Sequence, residues 1–164
     1  MSHDLLMSKK YAFKRNLKVK GFTLLELMIT LGILAIVLTI AIPNFQRISI
    51  NGNLRTAARD LIADFNALRA KAIAENTQYV LTFNGDNTYT VNPASGLPNG
   101  GKSPASIARD ITISGVPFAG GPVTFSTRGT VSPGGNVVLT NSRGSTATIT
   151  CNLSGRTYVQ FTMY

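Results

Sequence analysis

The chain has 164 residues, 44% hydrophobic and 14% charged, with a formal net charge of +9, enough for one compact domain plus an additional element. Its single histidine, His3, and single cysteine, Cys151, exclude a His/Cys metal cluster, a histidine-based triad and an intrachain disulfide within one mature chain. No catalytic residue, metal or cofactor is expected, and the chain reads as a non-enzyme.

The charge is unevenly placed. Residues 1–21 carry six Lys/Arg against one acid, a net of +5, and the remainder carries only +4. From Phe22 to Ile42, FTLLELMITLGILAIVLTIAI is 21 residues with one ionisable side chain, Glu26, enough for roughly 30 Å of helix. The cluster Lys9, Lys10, Lys14, Arg15, Lys18 and Lys20 precedes it. By the positive-inside rule that cluster stays cytoplasmic and everything after Ile42 is exported. Three processing outcomes compete: an uncleaved bitopic anchor, a secretory signal peptide cut beyond the apolar run, and a leader cut before it. A secretory signal has a shorter apolar core with small residues at its far end; here the core is long and contains Glu26.

The segment KGFTLLELMITLGILAIVLTIAIP, Lys20 to Pro43, resembles the signal and anchor shared by type IV pilins and type II secretion pseudopilins. That resemblance implies a prepilin leader, residues 1–21, cut by a prepilin peptidase between Gly21 and Phe22. Phe22 becomes the N-methylated terminus, Glu26 is the acidic fifth mature residue used in assembly, and Pro43 is the helix-kinking proline. A start at Met7 instead of Met1 shortens the leader to 15 residues and keeps its basic cluster.

Glu26 also carries its own argument. An ionised carboxylate in a spanning helix costs about 2.5–3.5 kcal/mol on insertion scales and needs a partner. The resemblance implies the α-amino group of Phe22 on a neighbouring subunit. A local alternative is a capping box, because Thr23-Leu24-Leu25-Glu26 fits T-x-x-E.

Pro43 removes one backbone donor and is expected to kink the helix near the membrane boundary. Leu54, Ala58, Leu61, Phe65, Leu68 and Ala72 then form a helical stripe that continues the helix to about Glu75, with Arg55, Arg59, Asn66 and Arg69 on other faces. The expected organisation is an assembly helix over 22–43 and an exported head over 44–164, including an amphipathic helix over 44–75.

Beyond Glu75, short Thr- and Val-rich runs broken by Gly, Asn and Pro predict an antiparallel sheet. Strands are expected at 77–83 and 88–92, framing an Asn84-Gly85-Asp86-Asn87 turn, and at 111–113, 123–126, 136–141, 146–152 and 157–163, with a loop over 93–106. Cys151, in the alternating run TATITCN, is expected to be packed. The fold class is α+β. The long helix, two small sheets, FSTRGTVSPGG and CNLSGRTYVQF resemble the FimT/GspH group of pilin-like proteins. The resemblance implies a minor pilin or pseudopilin in the bacterial inner membrane, and then in a pilus or pseudopilus, with pilin-type subunits and membrane lipid as partners.

Two further motifs compete with that reading. Gly96 to Ser103 satisfies the phosphate-binding pattern G-x-x-x-x-G-K-S, but that motif needs a preceding parallel strand and a following helix, whereas Pro104 follows at once, only a few residues separate it from the next strand run, and no apolar strand ends in a Walker-type Asp, so a Gly/Pro loop is expected. Some FimT-like minor pilins are implicated in DNA uptake. That likeness implies Arg156 in SGRTY as a phosphate contact, with further cations drawn from Arg128, Arg143 or Lys102.

Overall fold

A computed structural model describes residues 21–85, 87–116, 118 and 121–164. The basic leader with its two candidate starts lies outside the described residues, as does Asp86 of the expected turn.

The first element, α1, spans Leu24–Ala74 with Pro43 inside it. Thr23 caps its start: the Thr23 Oγ1 accepts the amide hydrogen of Glu26 at 3.2 Å. Its end is closed by Asn76 in the left-handed region (φ 48°). There the Thr77 amide donates to the Ala72 carbonyl at 3.2 Å and the Glu75 amide to the Lys71 carbonyl at 2.8 Å, a Schellman-type stop that satisfies the last carbonyls.

The chain divides into two compact units at Ile40/Ala41. In the first, the described residues are Gly21, Phe22, Thr23 and the N-terminal part of α1, and every one is exposed. In the second, α1 contributes Leu54, Ala57, Ala58, Leu61, Phe65, Leu68 and Ala72 to a single apolar core. The expected stripe is therefore the packed face, widened by Ala57 and by one buried carboxylate, Asp64.

Two antiparallel sheets complete that core. The strands of the first are β1 (Tyr79–Phe83), β2 (Tyr89–Asn92), β3 (Gly101–Lys102), β5 (Val123–Phe125) and β6 (Val131–Ser132), in the order β3-β2-β1-β5-β6. A one-turn helix, α2 (Pro104–Ile107), leads to β4 (Ile111–Gly115) of the second sheet. With β7 (Gly135–Asn141), β8 (Thr146–Cys151) and β9 (Thr157–Thr162), that sheet has the order β4-β7-β8-β9. On β7 and β8 every second residue is buried, including Val137, Leu139, Ala147, Ile149 and Cys151, the period-two pattern of a half-covered sheet. Phe65 sits edge-on to Phe118 (6.4 Å) and Phe125 (5.7 Å) and ties the helix to the first sheet.

Seven expected strands are present, with ends trimmed by one or two residues or, at β4 and β7, extended. Two strands, β3 and β6, were not expected. Each has only two residues, too few for alternation to register. The expected 93–106 loop instead holds two 3₁₀ turns, Ala94–Gly96 and Pro98–Gly100, then β3 and α2. Leu97 and Gly96 are buried there, so this stretch is pinned to the core.

Candidate processing and assembly site

Gly21 and Phe22 precede the first helical residue and lie outside regular structure. Phe22 is 70% exposed, and nothing lies within 4 Å of the position a Cβ on Gly21 would take. Both residues that flank this peptide bond are thus exposed, with no packing against the other described residues. Four residues on, Glu26 is exposed in the first turn of α1. Of the expected capping box only half forms: the Thr23 hydroxyl accepts from the Glu26 backbone, and among the described residues no bond returns from the Glu26 carboxylate. The cap therefore leaves that carboxylate available. A negative charge in the first turn also meets the positive end of the helix dipole.

Pro43 lacks the amide hydrogen that the Thr39 carbonyl would accept in a regular helix. The Thr39 hydroxyl turns back to the Ala35 carbonyl at 2.9 Å, in the same stretch, the local bonding that accompanies helix bending. Large apolar side chains are exposed along this part of α1, among them Leu24, Leu25, Ile33, Ile36 and Ile40. Their number and continuity mark a surface suited to apolar surroundings, on a helix long and apolar enough to cross a membrane.

The four cations tied to nucleic acid do not form one group. Lys102 Nζ lies 2.8 Å from Asp64 Oδ1 and 3.1 Å from Asp60 Oδ2, with its side chain 23% exposed. Burial lowers the lysine pKa, but the two carboxylates outweigh it and hold the ammonium above its usual range. A phosphate would have to displace both. Arg143 occupies the β7–β8 turn, beside the paired ends Thr140 and Thr146, whereas Arg156 follows the opposite end of β8, where Cys151 pairs with Thr157. Six strand residues separate these ends, roughly 17 Å. Lys102 does sit in the expected Gly-rich motif, but on a strand, its charge turned to helix carboxylates.

The turns that carry Arg128 and Arg156 do meet, at a residue not anticipated as part of the site. Arg69 was expected on an outer face of α1. It is half-buried instead, and its Nε donates to the Gly129 carbonyl at 2.8 Å. Gly129 closes a turn by donating to the Ser126 carbonyl (2.8 Å), and Gly155 closes another by donating to the Asn152 carbonyl (2.9 Å). A Cβ on Gly155 would lie 2.5 Å from the Gly129 carbonyl oxygen and 2.7 Å from Arg69 Nε. The two short motifs FSTRG and LSGR therefore meet on the arginine. Their glycines were visible in the sequence, but nothing there pointed to Arg69 as the third member. Behind them Cys151 is buried; burial pushes its thiol pKa up, as for an inert packed residue.

An apolar helix with one carboxylate in its first turn and two antiparallel sheets packed on its C-terminal half define a pilin-like class of protein. A solved structure of similar fold is the minor pseudopilin EpsH from the type 2 secretion system of Vibrio cholerae, with a TM-score of 0.52 at 10% identity, over 66% of this chain and 97% of that one. The prokaryotic N-terminal methylation motif matches residues 16–42. The type II transport protein GspH family matches residues 57–155, more than half of the sequence, and the chain belongs to that family. A fimbrial protein of Pseudomonas aeruginosa is 36% identical over 74 residues, 39% of this chain and 48% of the relative; the chain spans about half the length of the curated relatives it matches. The type IV minor pilin FimU of Pseudomonas aeruginosa gives a TM-score of 0.48 at 17% identity over 65% of this chain and 92% of that one.

Proposed function

We propose that this minor pilin or pseudopilin is held in the bacterial inner membrane by α1 with its N-terminus cytoplasmic and its head exported. A prepilin peptidase cuts it between Gly21 and Phe22, Phe22 is N-methylated, and the chain then enters a filament of pilin-type subunits. The leader, residues 1–21, is removed; residues 22–43 anchor and assemble; residues 44–164 form the exported head, with Pro43 as the bend between them. The observation that carries this reading is the exposed Gly21–Phe22 bond immediately before an apolar helix whose first-turn carboxylate is left unused by its own cap.

Cleavage removes the leader's +5 charge and creates an α-amino group at Phe22. Glu26 of the neighbouring subunit neutralises that amine in the low-dielectric filament core, where an unpaired charge of either sign is costly. Processing thereby generates the partner that Glu26 requires. The chain itself contributes no catalysis to the cut.

The test is coexpression of the full chain with an active prepilin peptidase, followed by intact mass. A product beginning at methylated Phe22 is expected, and an uncut leader overturns the proposal. The dispersal of Lys102 and Arg143 away from Arg128 and Arg156 leaves DNA uptake without a continuous basic track. Nucleic acid enters below only as an outcome of a test.

A further inference from the structure

Among the described residues Lys102 makes the only ion pairs. No other head cation pairs with a carboxylate among the described residues, and residues 44–164 carry ten Lys/Arg against five Asp/Glu. The imbalance is sharpest where the end of α1 meets the Ser126–Gly129 and Asn152–Gly155 turns. Arg128 and Arg156 are exposed there, and Arg69 bonds a backbone carbonyl through Nε; among the described residues its terminal nitrogens have no hydrogen-bond partner. Two large apolar side chains stand exposed in the same place: Ile73 at 51% and Leu153 at 63%. Ile73 Cδ1 lies 2.8 Å from where a Gly129 Cβ would be, and the Leu153 carbonyl accepts the Val131 amide at 3.0 Å. Both elements are thereby fixed by the same fold that fixes the arginines.

We propose that this end of the head, Arg69, Ile73, Arg128, Leu153 and Arg156, is a docking surface for the head of a different, acidic pilin-type subunit. The proposal rests on the filament reading above and adds which face makes the contact and with what chemistry. Charge complementarity chooses the occupant. Arginines interspersed with exposed aliphatic side chains suit a protein partner, whose carboxylates they pair and whose apolar surface Ile73 and Leu153 cover; a phosphate backbone uses the cations and gains nothing from the aliphatics. A second copy of this chain fits poorly. Of its described carboxylates beyond Ile40, Asp60 and Asp64 are held by Lys102, and Glu75 accepts from the Tyr79 hydroxyl. That leaves Asp110 and the exposed Glu75 as the described carboxylates with which a second copy could answer three arginines. The surface is also preorganised. Gly129 and Gly155, both at positive φ, press against Arg69, so the backbone beneath the surface is set and the ordering left for binding is that of the exposed side chains.

The experiment places a photo-crosslinking amino acid at Leu153 in the full chain, produced in cells that build the filament, with a second variant carrying it at Leu31 in the exposed apolar part of α1. The Leu153 variant is expected to give an adduct whose partner, identified by mass, carries its own N-terminal methylation motif and a net-negative head. Arg128→Glu and Arg156→Glu together, both exposed and outside the core, are expected to cut that adduct about tenfold while leaving the Leu31 adduct unchanged. A self-adduct, a nucleic-acid adduct, or none at Leu153 while Leu31 still crosslinks to pilin-type chains overturns the docking surface and leaves the filament reading standing. Loss of adducts at both positions overturns both.

Discussion

The hydroxyl of Tyr89 donates to Asp64 Oδ2 at 2.6 Å inside the core of the head, and the other oxygen of the same carboxylate takes Lys102 at 2.8 Å. One buried acid on α1 therefore holds both β2 and β3. Asp64→Ala should leave a buried phenol unsatisfied and Lys102 with Asp60 alone, a loss of about 2–4 kcal/mol. Asp60→Ala, which removes the more exposed partner, should cost below about 1 kcal/mol. Urea unfolding of the two variants checks this; equal losses would show that Asp64 is no keystone.

The same cluster sets a response to alkali. Burial, reinforced by Asp64, raises Tyr89 far above its ordinary 10.0. Lys102 is raised above 10.5 by its two carboxylates against opposing desolvation, and Cys151 is raised above 9.0 by burial. In each case the folded state keeps a proton that the unfolded state releases, so ∂ΔG/∂pH is negative. The stabilisation is full below the unfolded values and is lost as pH climbs through the folded ones. Urea midpoints should fall steadily from about pH 9 to 11, and Tyr89→Phe should flatten the upper part of that decline. A midpoint constant across this range would contradict the assignment.

Gly155 and Gly144 both close turns at positive φ, 76° and 82°, but only Gly155 has neighbours within reach of a Cβ. Gly144→Ala should cost about 1 kcal/mol for backbone conformation alone. Gly155→Ala must also displace the Gly129 carbonyl or Arg69, for a total of about 2–4 kcal/mol. Thermal melting of the pair separates the two contributions; a smaller loss at Gly155 would mean that the two turns do not bear on Arg69.

Thr23 and Glu26 separate the cap from the charge. Thr23→Ala removes the hydroxyl that receives the Glu26 amide and should loosen the first turn by about 1 kcal/mol. Glu26→Gln keeps that bond intact and removes only the charge. Incorporation into filaments, measured by immunoblot of sheared material against whole cells, should fall about tenfold for Glu26→Gln and little for Thr23→Ala. The reverse ranking would favour a capping role.

The parts most legible in the sequence were those written by periodicity. The stripe from Leu54 to Ala72 announced the packed face of α1, and alternation in β7 and β8 announced a sheet covered on one side. Asp64 escaped notice because a carboxylate on the buried face of a helix reads as an interruption until Tyr89 and Lys102, 25 and 38 residues away, are brought to it by pairing between strands. Arg69 escaped for the same reason, since helical spacing marks it polar and only the fold delivers Gly129 to its guanidinium. Lys102 is visible in the sequence as a cation, but its two partners, Asp60 and Asp64, are not. Local pattern reveals which face is buried; it does not reveal which distant turn arrives there.

Every fully buried apolar side chain described in the head belongs to Leu54 or a later residue. The exposed residues from Phe22 to Ser49 therefore bury nothing in that core, which α1 first braces through Asn51, bonded to Asn141, Ser145 and the Tyr164 carbonyl; the sequence before Ile50 is free of that duty. Such a division lets a lineage exchange heads behind a common anchor, or retune the anchor to a bilayer of different thickness, without redesigning the core.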